Sequence, residues 1–229
     1  MPGRIKRVII SIAGGHATGS VQLAINIKES LAKIFTSTKI SVIDLDKMVK
    51  KENRNYTNSD YDFTKLYEDL TTISNGTVSQ DRDVKSENPL EIILLCGCYA
   101  LYDEQLRSLC KLKVFIDSDG DKRLIKLIQS IGIENPEELS LLISEYMDHL
   151  RIEMQNFIQP TRAFADLVIP CTNDNIGSAI LLDGIVKVVQ EMKGNDPNEA
   201  GVLYPKKSAL LSFEAERMDL QKGRYYDLS

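Results

Sequence analysis

The residues Gly14-Gly15-His16-Ala17-Thr18-Gly19-Ser20-Val21 have the types and spacing of a phosphate-binding loop. Glycines at the first and sixth positions let the backbone turn tightly and point N–H groups at an anion. In a loop that handles a Mg-nucleotide, lysine and then serine or threonine come next. The ammonium reaches the β/γ-phosphates and the hydroxyl holds Mg²⁺. Here those positions are Ser20 and Val21. Serine carries no charge, and valine cannot ligate a hard cation. Gly14, Gly15 and Gly19 still permit an N–H nest at a helix N-terminus, which binds an anion without lysine. His16 is expected to point from the loop into solvent, with a phosphate contact as the alternative.

Two other groups of residues invite a chemical reading. Asp117, Asp119 and Asp121 alternate like calcium-loop acids, but Gly120 precedes the third acid, and no glutamate closes a twelve-residue loop. They are expected to form a strand-end turn. Cys96 and Cys98 flank Gly97, with no second close pair among the four cysteines. That spacing does not suit zinc, so buried thiols and no metal site are expected.

These residues need a scaffold, and the apolar pattern supplies one. Arg7–Ala13, Lys39–Ile43, Leu90–Leu95, Leu112–Ile116 and Leu167–Pro170 read as short strands, most of them nearly continuous in apolar residues. Helical spacing follows. Val21, Ala24, Ile27, Leu31 and Ile34 share one face, and Phe63, Leu66, Leu70 and Ile73 another, ending at Asn75-Gly76. Leu124–Ile131 continues as a helix. Asn135-Pro136-Glu137-Glu138 reads as a capped helix start, for a helix carrying Leu139, Leu142, Ile143, Tyr146, Leu150 and Met154. Ile176–Met192 is the last helix of the pattern, and Thr77–Asn88 is polar and loop-like. Strands alternating with helices predict an α/β fold, a parallel sheet with helices on both faces. One domain is expected over 1–192, and a tail over 193–229 with one helix around Ala209–Leu220.

With 229 residues and 43% apolar, the chain can fill a sizeable core. No stretch approaches the ~18 apolar residues of a membrane span. The basic start runs into a short β-branched strand and then glycines, not a secretory apolar region. A soluble protein of the cytoplasm or nucleus is expected. The formal net charge of −5 and the lack of a long basic run argue against a nucleic-acid binder.

The order of motifs resembles the uridine/cytidine kinase family of P-loop nucleoside kinases. Leu95-Cys96-Gly97-Cys98-Tyr99-Ala100-Leu101-Tyr102 is similar to its FEGILAFY-like segment. The stretch from Lys113 to Leu124 resembles its KLFVDTDADTRL-like strand and turn, and Pro160–Pro170 its PTKKYADVIIP-like segment. Asn173-Asp174-Asn175 opens the last helix as in the family. The resemblance covers about Arg7 to Met192. It extends to fungal uridine-kinase-like proteins in size and in the altered loop. It implies the P-loop nucleoside-kinase topology, with ATP and Mg²⁺ as cofactors and a nucleoside or nucleotide as ligand.

The resemblance places Asp46 on the family's catalytic aspartate, able to accept the proton of a nucleoside 5′-hydroxyl. Other family site positions carry different chemistry. The glutamate of the Mg²⁺ shell falls on Cys96, the sugar-binding aspartate on Thr57, and a glutamine on Glu145, before the retained Tyr146. The lid arginines fall on Leu127, Ser130, Asn135 and Glu137. The base-closing motif is absent from Thr77–Asn88. Phosphoryl transfer relies on cations at developing charge, and one lost donor costs about 10²–10³ in rate. Lys6, Lys47 and Lys126 are the cations weighed as stand-ins. Two readings follow. In one, the chain is a non-catalytic partner that regulates or stabilises an active uridine kinase, as a homo- or hetero-oligomer. In the other it is a working uridine/cytidine kinase with a rearranged site, Asp46 its base.

Overall fold

Five strands form one wholly parallel sheet in the order β2-β3-β1-β4-β5. They are β1 (Lys6–Gly14), β2 (Lys39–Asp44), β3 (Leu90–Gly97), β4 (Cys110–Asp117) and β5 (Leu167–Pro170). The computed structural model describes residues 6–36, 38–49, 54–72, 90–132, 135–171 and 176–193. The polar stretch 77–88, the segment 73–76 and the tail beyond Lys193 lie outside the described residues, as does the helix expected there.

The centre of the sheet is dry because its strands offer apolar side chains to both faces. All eight residues of β3 are buried. On one face Val8, Ile10, Ile12, Ile92, Leu94 and Val114 pack under α1 (Ser20–Ile34) and α7 (Ile176–Lys193) through Ala24, Ile27, Leu31, Leu181, Ile185 and Val189. On the other, Ile9, Ala13, Ile93, Leu95 and Phe115 meet Leu66 and Leu70 of α2 (Phe63–Thr72) and Leu106 of α3 (Glu104–Leu109). The fold is therefore α/β, with helices on both faces of the sheet. Glu91, a charged residue inside β3, is satisfied laterally: Arg7 Nε donates at 2.9 Å from β1 and Lys39 Nζ at 2.7 Å from β2, both register partners.

The strands run about as expected, each within two residues of the predicted ends, and α2 starts at Phe63 as predicted. Three details differ. The short α3 was not foreseen; Asp103 caps it, its carboxylate accepting from Leu106 N–H at 2.9 Å. Asn135 does not cap α5 (Pro136–Glu145) through its side chain, which donates to Glu138 instead. The helix predicted from Asn135 onward is also not one regular α-helix. π-helical turns at Tyr146–Leu150 and Met154–Ile158 flank a single α turn, α6 (Arg151–Glu153). These wide turns change which residues face inward. Leu142, Tyr146, Leu150, Glu153, Met154 and Ile158 are buried, while Ile143 is exposed. Such insertions often mark functional sites.

Among the described residues no helix is long and apolar enough to cross a membrane.

Candidate functional site

In an open parallel sheet the crevice at the carboxyl ends of the strands is where ligands bind. Register brings the predicted site residues to that edge. Gly14 ends β1 beside Ile116 of β4, Ala13 pairs with Gly97 of β3, and Asp44 of β2 pairs with Cys96. The glycine loop leaves β1, Asp46 follows β2, and Cys98 follows β3. Between them lies a cavity of 340 Å³. It is lined by the loop from Gly15 to Val21 and by Asp46, Val49, Arg54, Tyr61, Cys98 and Leu127.

The loop folds on itself. Thr18 donates to the Gly15 carbonyl through both its N–H (3.2 Å) and its hydroxyl (2.8 Å). Gly19 has φ +83° and leads into α1, and Ala17 has φ +59°, a left-handed conformation that costs an L residue about 1–2 kcal/mol. Alternating hands of this kind gather backbone N–H groups into a concave nest. Ser20, where an ammonium would stand, is buried, and no acid lies in the first turn of α1.

Asp46 lies in a 3₁₀ turn, Leu45–Met48, whose first residue's neighbour Asp44 accepts from Asp46 N–H at 3.1 Å. The Asp46 carboxylate accepts from Cys98 N–H at 3.0 and 3.2 Å and from the Tyr61 hydroxyl at 3.2 Å. Gly97 makes this possible. Its φ is +140°, and a side chain there would come within 3.0 Å of Asp46 Oδ1 and Leu45 Cβ.

His16 departs from expectation. It does not reach into solvent: its side chain is 13% exposed and spans two partners. Nε2 lies 2.9 Å from Glu153 Oε2, and Nδ1 lies 3.3 Å from Cys98 Sγ. Burial first, then the Asp46 and Glu153 carboxylates, push the Cys98 thiol well above its usual range. A thiol that donates to Nδ1 leaves Nε2–H to donate to Glu153, so one arrangement of the ring satisfies both contacts.

Glu153 is the charge at the centre. Its side chain is fully buried, and Arg54 Nη2 donates to both its oxygens, at 3.0 and 2.9 Å. Burial alone would raise this carboxyl. The His16 and Arg54 contacts outweigh burial and hold it below its ordinary value. Arg54 also lies over the Tyr56 ring, 4.8 Å from its centroid. Tyr56, with φ +57°, stacks on His149 at 4.5 Å and donates to Glu145 Oε1 at 2.8 Å. The segment 54–61 is thus strapped to the α5–α6 region.

The remaining predicted residues fall outside the cavity or alter its chemistry. Leu127 puts an apolar side chain on its wall. Cys96 donates to the Ile43 carbonyl at 3.3 Å, and burial pushes its thiol up to about 12. Thr57 caps the turn Asn58–Asp60 and does not line the cavity. None of the three lysines does either: Lys6 donates to Met192 O, Lys47 pairs with Asp44, and Lys126 donates to Cys171 Sγ, which in turn donates to Thr18 O. Asp117 and Asp119 pair with Arg162 and Lys122, and among the described residues no cluster of three ligand-type side chains could hold a metal.

Arg123, not singled out from sequence, is 7% exposed. Its Nε and Nη1 have no hydrogen-bond partner, and it packs where a side chain on Gly15 would lie. A buried cation with spare donors next to the nest suits an anion. Among the described residues that line the cavity, Asp46 is the one carboxylate, Val21 and Leu127 are apolar, and the one Arg or Lys, Arg54, already holds Glu153.

The model of the phosphoribulokinase/uridine kinase family matches residues 9–177. The chain belongs to that family. It is 47% identical over 230 residues to a Saccharomyces cerevisiae protein named "Putative uridine kinase DAS2", covering 98% of this chain and 97% of that protein. It is also similar to bacterial proteins named "Uridine kinase". The Lactococcus lactis protein is 26% identical over 81% of this chain and 99% of its own length. The Oceanobacillus iheyensis protein is 29% identical over 80% and 96%. The family membership thus covers the sheet, the loop and the carboxyl-end crevice together.

Proposed function

We propose that this member of the uridine kinase family binds a ligand at its loop without transferring a phosphoryl group, and acts as a regulatory or stabilising partner of an active uridine kinase. The observation that carries the proposal is the charge balance of the cavity. Ser20 stands where an ammonium belongs, and Arg54, the one Arg or Lys among the described residues that line the cavity, is spent on buried Glu153. Asp46 adds a negative charge at the same wall. Transfer of a phosphoryl group draws its catalysis from positioning and from cations on developing charge. A site with this balance lacks that stabilisation, while its N–H nest and cavity remain suited to holding a ligand.

The partner role has its own test. The full chain is mixed with the active uridine kinase of the same cell and sized by chromatography with light scattering. A mixed oligomer is expected, with a raised melting temperature for the kinase. Two separate species with unchanged melting would remove the partner role.

Arg123 and Asp46 favour a second reading, ATP-dependent phosphorylation of uridine or cytidine. Asp46 is held by two donors at the cavity wall, as a general base must be. Arg123 offers unpaired guanidinium nitrogens beside Gly15. Turnover lost on replacing either residue would select this reading.

A further inference from the structure

The buried ion pair behind the loop does more than occupy Arg54. Glu153 has no exposed side-chain surface, yet it is charged, and it is reached from two distant segments: His16 in the loop and Arg54 in the strap. A buried carboxylate is stable only when paired and hydrogen-bonded. Here that pairing draws on two groups that line the cavity, His16 and Arg54. Both contribute hydrogen bonds, and Arg54 brings a fixed positive charge. Arg54 also keeps a buried Nε without a partner, so its guanidinium is not saturated by Glu153.

We propose that Glu153 is a resident counter-anion that sets how strongly the loop binds phosphate groups, by holding the Arg54 charge that an incoming phosphate would otherwise use. This rests on the reading of the loop cavity as a ligand site without transfer. With Glu153 in place, the fixed charges of Asp46, Arg54 and Glu153 sum to one negative charge, which offsets the Arg123 cation beside Gly15. The backbone N–H groups then face an incoming anion against that charge. Neutralising Glu153 leaves Arg54 to balance Asp46, and the nest binds without that opposition. A unit charge a few ångströms from a bound anion, at the dielectric of a protein surface site, changes affinity by about tenfold or more. The same pair fixes the strap over the loop, so a ligand strong enough to draw Arg54 away from Glu153 would also loosen the strap from α6.

The test is titration calorimetry of the full chain with inorganic phosphate at pH 7 and fixed ionic strength. Glu153→Gln keeps the size and a hydrogen-bonding group. It is expected to bind phosphate about tenfold more tightly than the native chain. A gain below about threefold, a loss, or no binding by either protein overturns the proposal. A second variant keeps the test open if Glu153→Gln does not fold. Glu153→Gln with Arg54→Met removes both charges, so it should bind phosphate within about threefold of the native chain. A tenfold or greater loss in that double variant would show that Arg54 serves phosphate in the native protein, contrary to the proposal. Neither result depends on whether UMP is made, so the two readings fail separately.

Discussion

Arg54→Met should destabilise the protein more than any other single change in the strap. Removing one partner of a buried ion pair costs about 3–5 kcal/mol, because the remaining charge is stranded. Here two features reduce the figure. Arg54 is 23% exposed, so water can enter as it leaves, and His16 still holds Glu153 at 2.9 Å. A loss of about 2–3 kcal/mol follows, or about 5–10 °C in melting temperature for a domain of this size. The variant should also respond to pH. Without Arg54, Glu153 loses support for its charged form, so its carboxyl rises and mild acid closes part of the gap to the native chain. Urea denaturation at pH 7 and pH 5 measures both effects. Arg54→Met with Glu153→Gln should recover to within about 1 kcal/mol of the native chain, because no charge is left stranded. A loss below about 0.5 kcal/mol in the single variant, or a double variant worse than either single one, would refute this account of the pair.

Other predictions concern the edge and the sheet. Gly97→Ala forces a left-handed residue against Asp46 and Leu45, and should cost about 1–3 kcal/mol in thermal unfolding; a neutral change would show that Asp46 does not need that space. Tyr146→Phe removes the hydroxyl that donates to Gly120 O at 2.8 Å between the π turn and α4 (Gly120–Ile131); about 1 kcal/mol should be lost in urea denaturation. Glu91 and Glu153 are both held below their ordinary value of 4.5, against burial, by basic neighbours. Their contribution to stability is therefore complete above about pH 4.5 and lost as pH falls through their lower folded values. A melting curve flat from pH 4.5 down to pH 3 would contradict this.

The fold was legible because its strands are short apolar runs at regular spacing. Leu90–Leu95 and Val8–Ala13 announce buried strands without any tertiary information. What escaped was governed by local chemistry that periodicity does not report. α3 has six residues and rests on the Asp103 cap, and the π turns depend on how residues 146–158 meet the loop and strap. The loop and Asp46 were visible because each is a short motif next to a strand end. The His16–Glu153–Arg54 cluster was not. Its members are separated by 137 and 99 residues, and Glu153 sits in a helical run where an isolated acid reads as solvent-facing. The signal that could have found it was the position of Glu153 directly before Met154, on the edge of the apolar face. The lysines failed as stand-ins because residue type alone does not fix reach. Among the described residues, the cations that line the cavity or pack on Gly15 are arginines: Arg54, paired with Glu153, and buried Arg123.

The central claim is that the loop binds without transferring phosphoryl groups. It is tested most directly by measuring labelled UMP formed from uridine and Mg-ATP by the full chain, purified free of endogenous kinase, beside Asp46→Asn. The account predicts background product in both samples, at equal levels. Uridine-dependent turnover in the native chain that Asp46→Asn abolishes would contradict it, and would make Asp46 a working base and Arg123 the first residue to replace.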